Sequence, residues 1–315
     1  MDNLPLDMSH PSVRDHMALV RLQVLTPLSL LINIAAVALC ATIANPSIRD
    51  ILRVRPTSIS PSPTVLAIYV AVIYATQIGY CLLLVLASKP ETKRTLTKGV
   101  GLSLVFANWI MALWAAAWIL QFFLISAVLQ GLLIICLLYS NIALLVYHSP
   151  TNDRPIDTAL IHAPLRFFLV LPLNILFPLC LFITLGLAYH PTPGGQPTDY
   201  SKWHAWAGFA VIMATNLVGL VVIALRRDIV WCIAATWICV SIWTDGVKPA
   251  PVYITTLTFT VLLPIALLAS YVYAHFYGPR PIALNGDDAL NRNRATPQRA
   301  VSGDAREVDV EALWG

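Results

Sequence analysis

Residues 100–147 carry no charged side chain, and nothing else in the sequence constrains the fold so tightly. A single helix over this run would be about 70 Å long at ~1.5 Å of rise per residue, against a hydrocarbon core of roughly 30 Å. The run must be two spans folded back on each other, with the turn near Gln121. The rest of the chain agrees with that setting. Hydrophobic residues make up 58% of the 315 and charged residues only 11%, well below the ~25% of a soluble domain. The expected fold class is all-α, a polytopic membrane helical bundle of about eight transmembrane helices.

The apolar runs place the spans at about 22–44, 64–87, 100–120, 122–147, 165–189, 204–225, 229–244 and 250–277. Leu22 to Ala44 is longer than the roughly 7–15-residue core of a secretory signal, so it reads as a retained first span. Residues 45–63 and the basic stretch around Lys89, Lys93, Arg94 and Lys98 read as loops. The stretch Pro191-Thr-Pro-Gly-Gly-Gln-Pro197 cannot continue a helix, and Pro264 is expected to kink the last span. Residues 1–21 form a cytosolic N-terminal tail and the polar residues 278–315 a disordered cytosolic C-terminal one. The cytosolic assignment is a charge argument: fifteen of the 20 Lys and Arg fall on the side of both termini and five on the other, the positive-inside asymmetry. Taking 100–147 as one span leaves the split nearly even.

An absence narrows the chemistry. None of the 16 Asp and Glu lies inside a predicted span, whereas proton-coupled transporters and membrane-embedded acid catalysts commonly rely on intramembrane carboxylates. A magnesium–diphosphate enzyme would need clustered aspartates, and a retinal-type Schiff base a mid-span lysine. The seven histidines show no HxxH, HxxxH or HExxH spacing, so no metal site is expected. His148 with His162, and His190 with His204, share a side in pairs, a haem-like arrangement that interfacial anchoring explains better. All six cysteines sit in apolar stretches without CxxC spacing, which argues against a disulfide or redox framework. The net charge of +4 is carried in loops and tails. It is read as orientation signal, and no nucleic-acid partner follows from it.

What remains is amide and indole. Asn33, Asn108, Asn141, Asn174 and Asn216 each fall within a span. Each either bonds a neighbouring helix, worth about 1 kcal/mol in hydrocarbon, or joins the others around one ligand cavity. Trp114 and Trp118 are i, i+4 neighbours on one helix face. Trp203, Trp206, Trp231 and Trp243 lie near span ends, where an aromatic belt accounts for them. Trp109, Trp114 and Trp237 lie deeper, and a stacking pocket for an apolar ligand is the functional reading. Arg166 enters its span behind His162-Ala-Pro164 and either snorkels to the interface or holds an anionic group. Val272, Tyr277 and Arg280 fit the loose cholesterol-contact pattern.

Phe106-Ala-Asn108-Trp109 with Trp114 and Trp118, the run Leu165 to Asn174, and Leu225-Arg226-Arg227-Asp228 with Trp237 resemble a fungal family of multispan membrane proteins. More remotely they are similar to relatives of the tryptophan-rich sensory protein, or translocator protein. The likeness covers about residues 20–277. It implies a bundle that binds porphyrin- or sterol-like ligands, with the family's Asn and spaced Trp falling on Asn108, Trp114 and Trp118. The chain differs in having eight apparent spans against five, and Pro63-Thr-Val-Leu-Ala-Ile-Tyr69 where that family has a tandem-proline, Trp-rich start to its second span.

Three functions are therefore expected in order. The first is a bundle that binds or moves a small hydrophobic molecule, with Asn108, Trp114, Trp118, Asn174, Trp237 and Arg166 as ligand-binding candidates. The second is a membrane enzyme of lipid or terpenoid metabolism using Asp228, Asp245 or Arg166 at the interface. The third is a scaffold acting through its C-terminal tail. Membrane lipids and a hydrophobic small molecule are the expected partners, and no cofactor or catalytic residue is assigned.

Overall fold

The computed structural model describes residues 11–87, 90–147, 155–189 and 202–277. The Pro191–Pro197 breaker, the C-terminal tail, His10, His148, His190 and Arg280 lie outside the described residues. Every regular element among those described is helical: α1 Pro11–Thr42, α2 Ile48–Val54, α3 Pro63–Leu86, α4 Pro90–Arg94, π1 Thr95–Val100, α5 Ser103–Ile119, α6 Phe123–Tyr147, α7 Pro155–Leu171, π2 Pro172–Leu176, α8 Phe177–Thr184, α9 Lys202–Arg226, α10 Ile229–Trp243 and α11 Ala250–Tyr277. One compact unit ends at Val272. In the second unit the structure describes the end of α11, where the His275 and Phe276 rings meet edge-on at 5.5 Å.

Among the described residues, six helices are long and apolar enough to cross a membrane, and seven if the pair Thr92–Val100 and Ser103–Ile119, bent by 48°, is one span. The remaining apolar helix, α10, has 15 residues, about 22 Å against the roughly 30 Å of a hydrocarbon core. The reversal between α5 and α6 falls at Gln121. Phe122 N–H bonds to Ala117 O and Gln121 N–H to Trp118 O, both at 3.0 Å, with Gln121 at φ 59°. This is a Schellman closure with glutamine in the left-handed site that glycine usually takes. Gly186 (φ 73°) closes α8 in the same way.

Helix boundaries differ from the sequence expectation where charge ends an apolar run without ending a helix. α1 begins at Pro11, well before residue 22, and the span expected at 165 begins as a helix at Pro155. The basic stretch before residue 100 is helical as well. Residues 45–63, expected as a loop, contain α2. Its cap is a full capping box: Ser47 Oγ accepts from Asp50 N–H, and an Asp50 carboxylate oxygen accepts from Ser47 N–H at 3.0 Å.

The rest of that connection is buried rather than solvated. Thr57, Ser58, Ile59 and Ser60 are each under 5% exposed. A buried loop must have its backbone groups satisfied, and this one has partners in the connections after α8 and α10 and in helices α9 and α10. Tyr189 N–H bonds to Pro56 O at 2.8 Å and Ser62 N–H to Ser241 O at 2.6 Å. Ser58 Oγ donates to His204 O at 3.1 Å, and Lys248 Nζ donates to Ser60 O at 2.7 Å. Burial pushes the Lys248 ammonium below the ordinary lysine value, an effect the Asp245 carboxylate at 2.9 Å opposes. Arg55 lies over the Phe123 ring at 5.0 Å, at the α5–α6 turn. The connections after α1, α5, α8 and α10 therefore meet at one end of the bundle. At the other end Gln23 bonds to Leu84 O and Arg166 pairs with Asp228. Gly208 is where α9 passes under the buried loop: a Cβ there would come within 2.5 Å of Ser58 Oγ and 2.9 Å of Val252 Cγ2. Gly208→Ala is expected to cost about 1–3 kcal/mol by overpacking, read as a lowered unfolding midpoint in detergent. A midpoint within a degree of the parent would show that the loop yields freely.

Candidate functional site

A concavity of about 510 Å³ lies between α1 and α3, with α5 as its floor. Its α3 wall repeats at helical spacing, with Pro63, Ala67, Val70 and Tyr74 on one face. Its α1 wall is Ile34, Val37, Ala38 and Ala41, and Met111 and Trp114, one turn apart on α5, close it from beneath. Leu171, just before π2, and Leu176, its last residue, complete the floor. Ala38, Ala41, Ala67 and Ala71 are exposed. These short side chains along the rim leave the gap between α1 and α3 unfilled, so the cavity is a groove open sideways on the bundle's surface. Among the described residues that line it, only Arg49, on α2 at the mouth, is charged.

A polar network backs the deep end. Tyr74 OH donates to Asn33 Oδ1 at 3.4 Å, Asn33 Nδ2 to Asn108 Oδ1 at 2.8 Å, and Asn108 Nδ2 to Gln77 Oε1 at 2.9 Å. The three amides are at most 1% exposed, and Gln77 Nε2 is left with no partner. Three spans, α1, α3 and α5, are thus tied at mid-membrane depth by side-chain amides, where interhelical hydrogen bonds have no water to compete with them.

The structure distributes the expected site residues over several places. Trp114 lines the groove, its Nε1–H directed to Cys180 Sγ at 3.4 Å, so the indole plane is fixed from behind. Trp118 is 1% exposed and lies beneath it, with ring centroids 5.7 Å apart and Phe123 edge-on at 5.3 Å. Asn108 sits in the amide network. Asn174 is buried within π2, and its Oδ1 has no partner. Trp237 faces a different cavity, of about 520 Å³, lined with Val65, Thr236, Pro264 and Leu267, and its Nε1 donates to Val65 O at 3.2 Å. Arg166 pairs with Asp228 at 2.9 Å and lies 3.5 Å from His162 Nδ1. Asp228 also caps α10 through Trp231 N–H at 3.1 Å.

The span asparagines do not meet around one ligand cavity. Asn141 bonds chiefly to Leu137 O in its own helix, and Asn216 accepts from Cys239 across α9 and α10. Asp228 and Asp245, the carboxylates considered for catalysis, are each held by a cation. Among the described residues no three His, Cys, Asp or Glu side chains come together as a metal site. Arg49 and Tyr74 were missed as groove residues. The signal for them was the Ser47–Asp50 capping box with Ile48, Ile51 and Leu52, which marks a helix beside the mouth of span 2.

The fold and the groove define a class: an integral, multi-pass α-helical membrane protein with an apolar, laterally open concavity in its bundle. The sequence profile of the family described as TSPO-like protein matches residues 23–271, and the chain belongs to that family. No curated protein and no solved structure matches it.

Proposed function

We propose that the protein binds or moves a small hydrophobic molecule in the groove between α1 and α3, and that it does so as a binding protein rather than a catalyst. The observation that carries this reading is the groove itself, about 510 Å³ with an apolar lining and Trp114 on its wall. Its volume falls within the roughly 300–1,000 Å³ of small-molecule sites. Family membership supports a ligand of porphyrin or sterol type. The excess of Lys and Arg on the side of both termini supports a cytosolic position for them, with the mouth of the groove at Arg49 on the opposite face. Titration of the full chain in nanodiscs with a porphyrin and with a sterol should change its intrinsic tryptophan emission, and Trp114→Phe should remove most of that change. Emission unaltered by every ligand, or altered equally in the Trp114→Phe protein, would remove the groove as the site.

A further inference from the structure

Within that reading, we infer that the groove selects a single-chain amphiphile carrying one carboxylate, a free fatty acid in chemical class, with the carboxylate on Arg49 and the chain running toward Tyr74. This rests on the proposal that the groove is a small-molecule site, and it assigns the groove a ligand class other than the porphyrin or sterol type that family membership supports.

Three observations carry it. The first is charge. Among the described residues that line the groove, Arg49 is the one charged side chain and none is a carboxylate. Asp50, its neighbour in sequence, is engaged in the helix cap: its carboxylate accepts Ser47 N–H at 3.0 Å and Ser47 Oγ–H at 2.6 Å. The Ser47 hydroxyl, ahead of the nearby arginines, holds the Asp50 carboxyl below its ordinary range. Arg49 is thus presented to the mouth with its guanidinium fork available for bidentate carboxylate recognition. One cation neutralises one carboxylate, so a dicarboxylate would leave a charge over the apolar wall.

The second is length. From Thr64, level with the mouth, to Tyr74 the α3 wall advances about 15 Å at ~1.5 Å per residue, and every lining position between is apolar. That is a track for a chain. The third is volume: about 510 Å³ accommodates one acyl chain, whereas two chains on a glycerophosphate would overfill it. The exposed alanines on the rim let such a chain enter from the bilayer without crossing water.

The test uses the full chain in zwitterionic nanodiscs, at a pH where the carboxyl is ionised. The probes are a C16 fatty acid with a quenching doxyl group near its tail, its methyl ester, and a doxyl-labelled phosphatidylcholine. The readout is the Trp114-dependent part of the emission, the difference between the parent and Trp114→Phe. The acid should half-saturate at a mole fraction roughly ten- to hundredfold below the ester, the range of a hydrogen bond to a charged group. Arg49→Gln should remove that advantage, and Arg49→Lys should restore part of it. Equal binding of acid and ester, an advantage that survives Arg49→Gln, or equal quenching by the phospholipid would each overturn the inference while leaving a groove that binds something. Quenching by no probe, together with no response to a porphyrin or sterol, is the separate outcome in which the groove reading itself fails.

Discussion

Arg166→Ala is expected to lower the unfolding free energy by about 3–5 kcal/mol, the range for removing one partner of a buried ion pair. The Asp228 side chain is 4% exposed and that of Arg166 13%. Without the guanidinium, the carboxylate keeps one hydrogen bond, from Trp231 N–H, which does not compensate a buried charge. The loss would fall on the junction of α7 with the start of α10, two helices packed directly together. Denaturant unfolding in detergent would measure it. The double variant Arg166→Met, Asp228→Asn should recover most of the loss, because neither side chain then carries charge and asparagine still caps a helix well. A cost below about 1 kcal/mol for Arg166→Ala, the value of an exposed pair, would mean that water reaches this junction.

Asn108→Leu should have the next largest effect, about 2–4 kcal/mol. Two interhelical bonds disappear, each worth roughly 0.6–1.7 kcal/mol in a membrane. Asn33 Nδ2 and Gln77 Oε1 are then left buried without their partner, which adds desolvation cost of order 1–3 kcal/mol. Replacing all three amides by leucine should be milder than the single change, since only the Tyr74 hydroxyl, bonded to Asn33 Oδ1 at 3.4 Å, then loses a partner. The two effects separate in a double-mutant cycle between Asn108 and Gln77, where a coupling of about 1 kcal/mol or more is expected. Additive single effects would show that the three spans are held by packing alone. Because Asn33 also receives the Tyr74 hydroxyl, the same variant should disturb the deep end of the groove.

The all-helical membrane architecture was legible because it follows from length and polarity alone. A charge-free run too long for one crossing must reverse, and it does so at Gln121. Interhelical adhesion by Asn108 was legible for the same reason, since hydrocarbon leaves an amide few alternatives. Partner identity was not. Arg166 and Asp228 were each noticed at a span end, but they are 62 positions apart, and no periodicity connects residues on different helices. Trp237 looked equivalent to Trp114 by depth, yet it faces a second cavity because α10 packs between α7, α9 and α3. The buried Thr57–Ser60 turn was hidden by its composition. Serines and prolines mark a turn equally well in water or under a ring of backbone partners, and only the neighbouring connections decide which.

The π2 turn has a geometric consequence for the groove. Leu171 and Leu176 both line it, five positions apart. In an α-helix five residues sweep about 500°, which would leave the two side chains ~140° apart. Here the bonding widens to i→i+5, as in Phe177 N–H to Pro172 O, so five residues sweep a smaller angle than in an α-helix and the two side chains come closer to one face. Pro172 brings no N–H that a tighter turn would have used. The span slips in phase at this point: α7 above the slip packs on α3, α10 and α6, and α8 below it packs on α6. One membrane crossing thereby presents two angular registers, and the back wall of the groove sits at the seam where one gives way to the other.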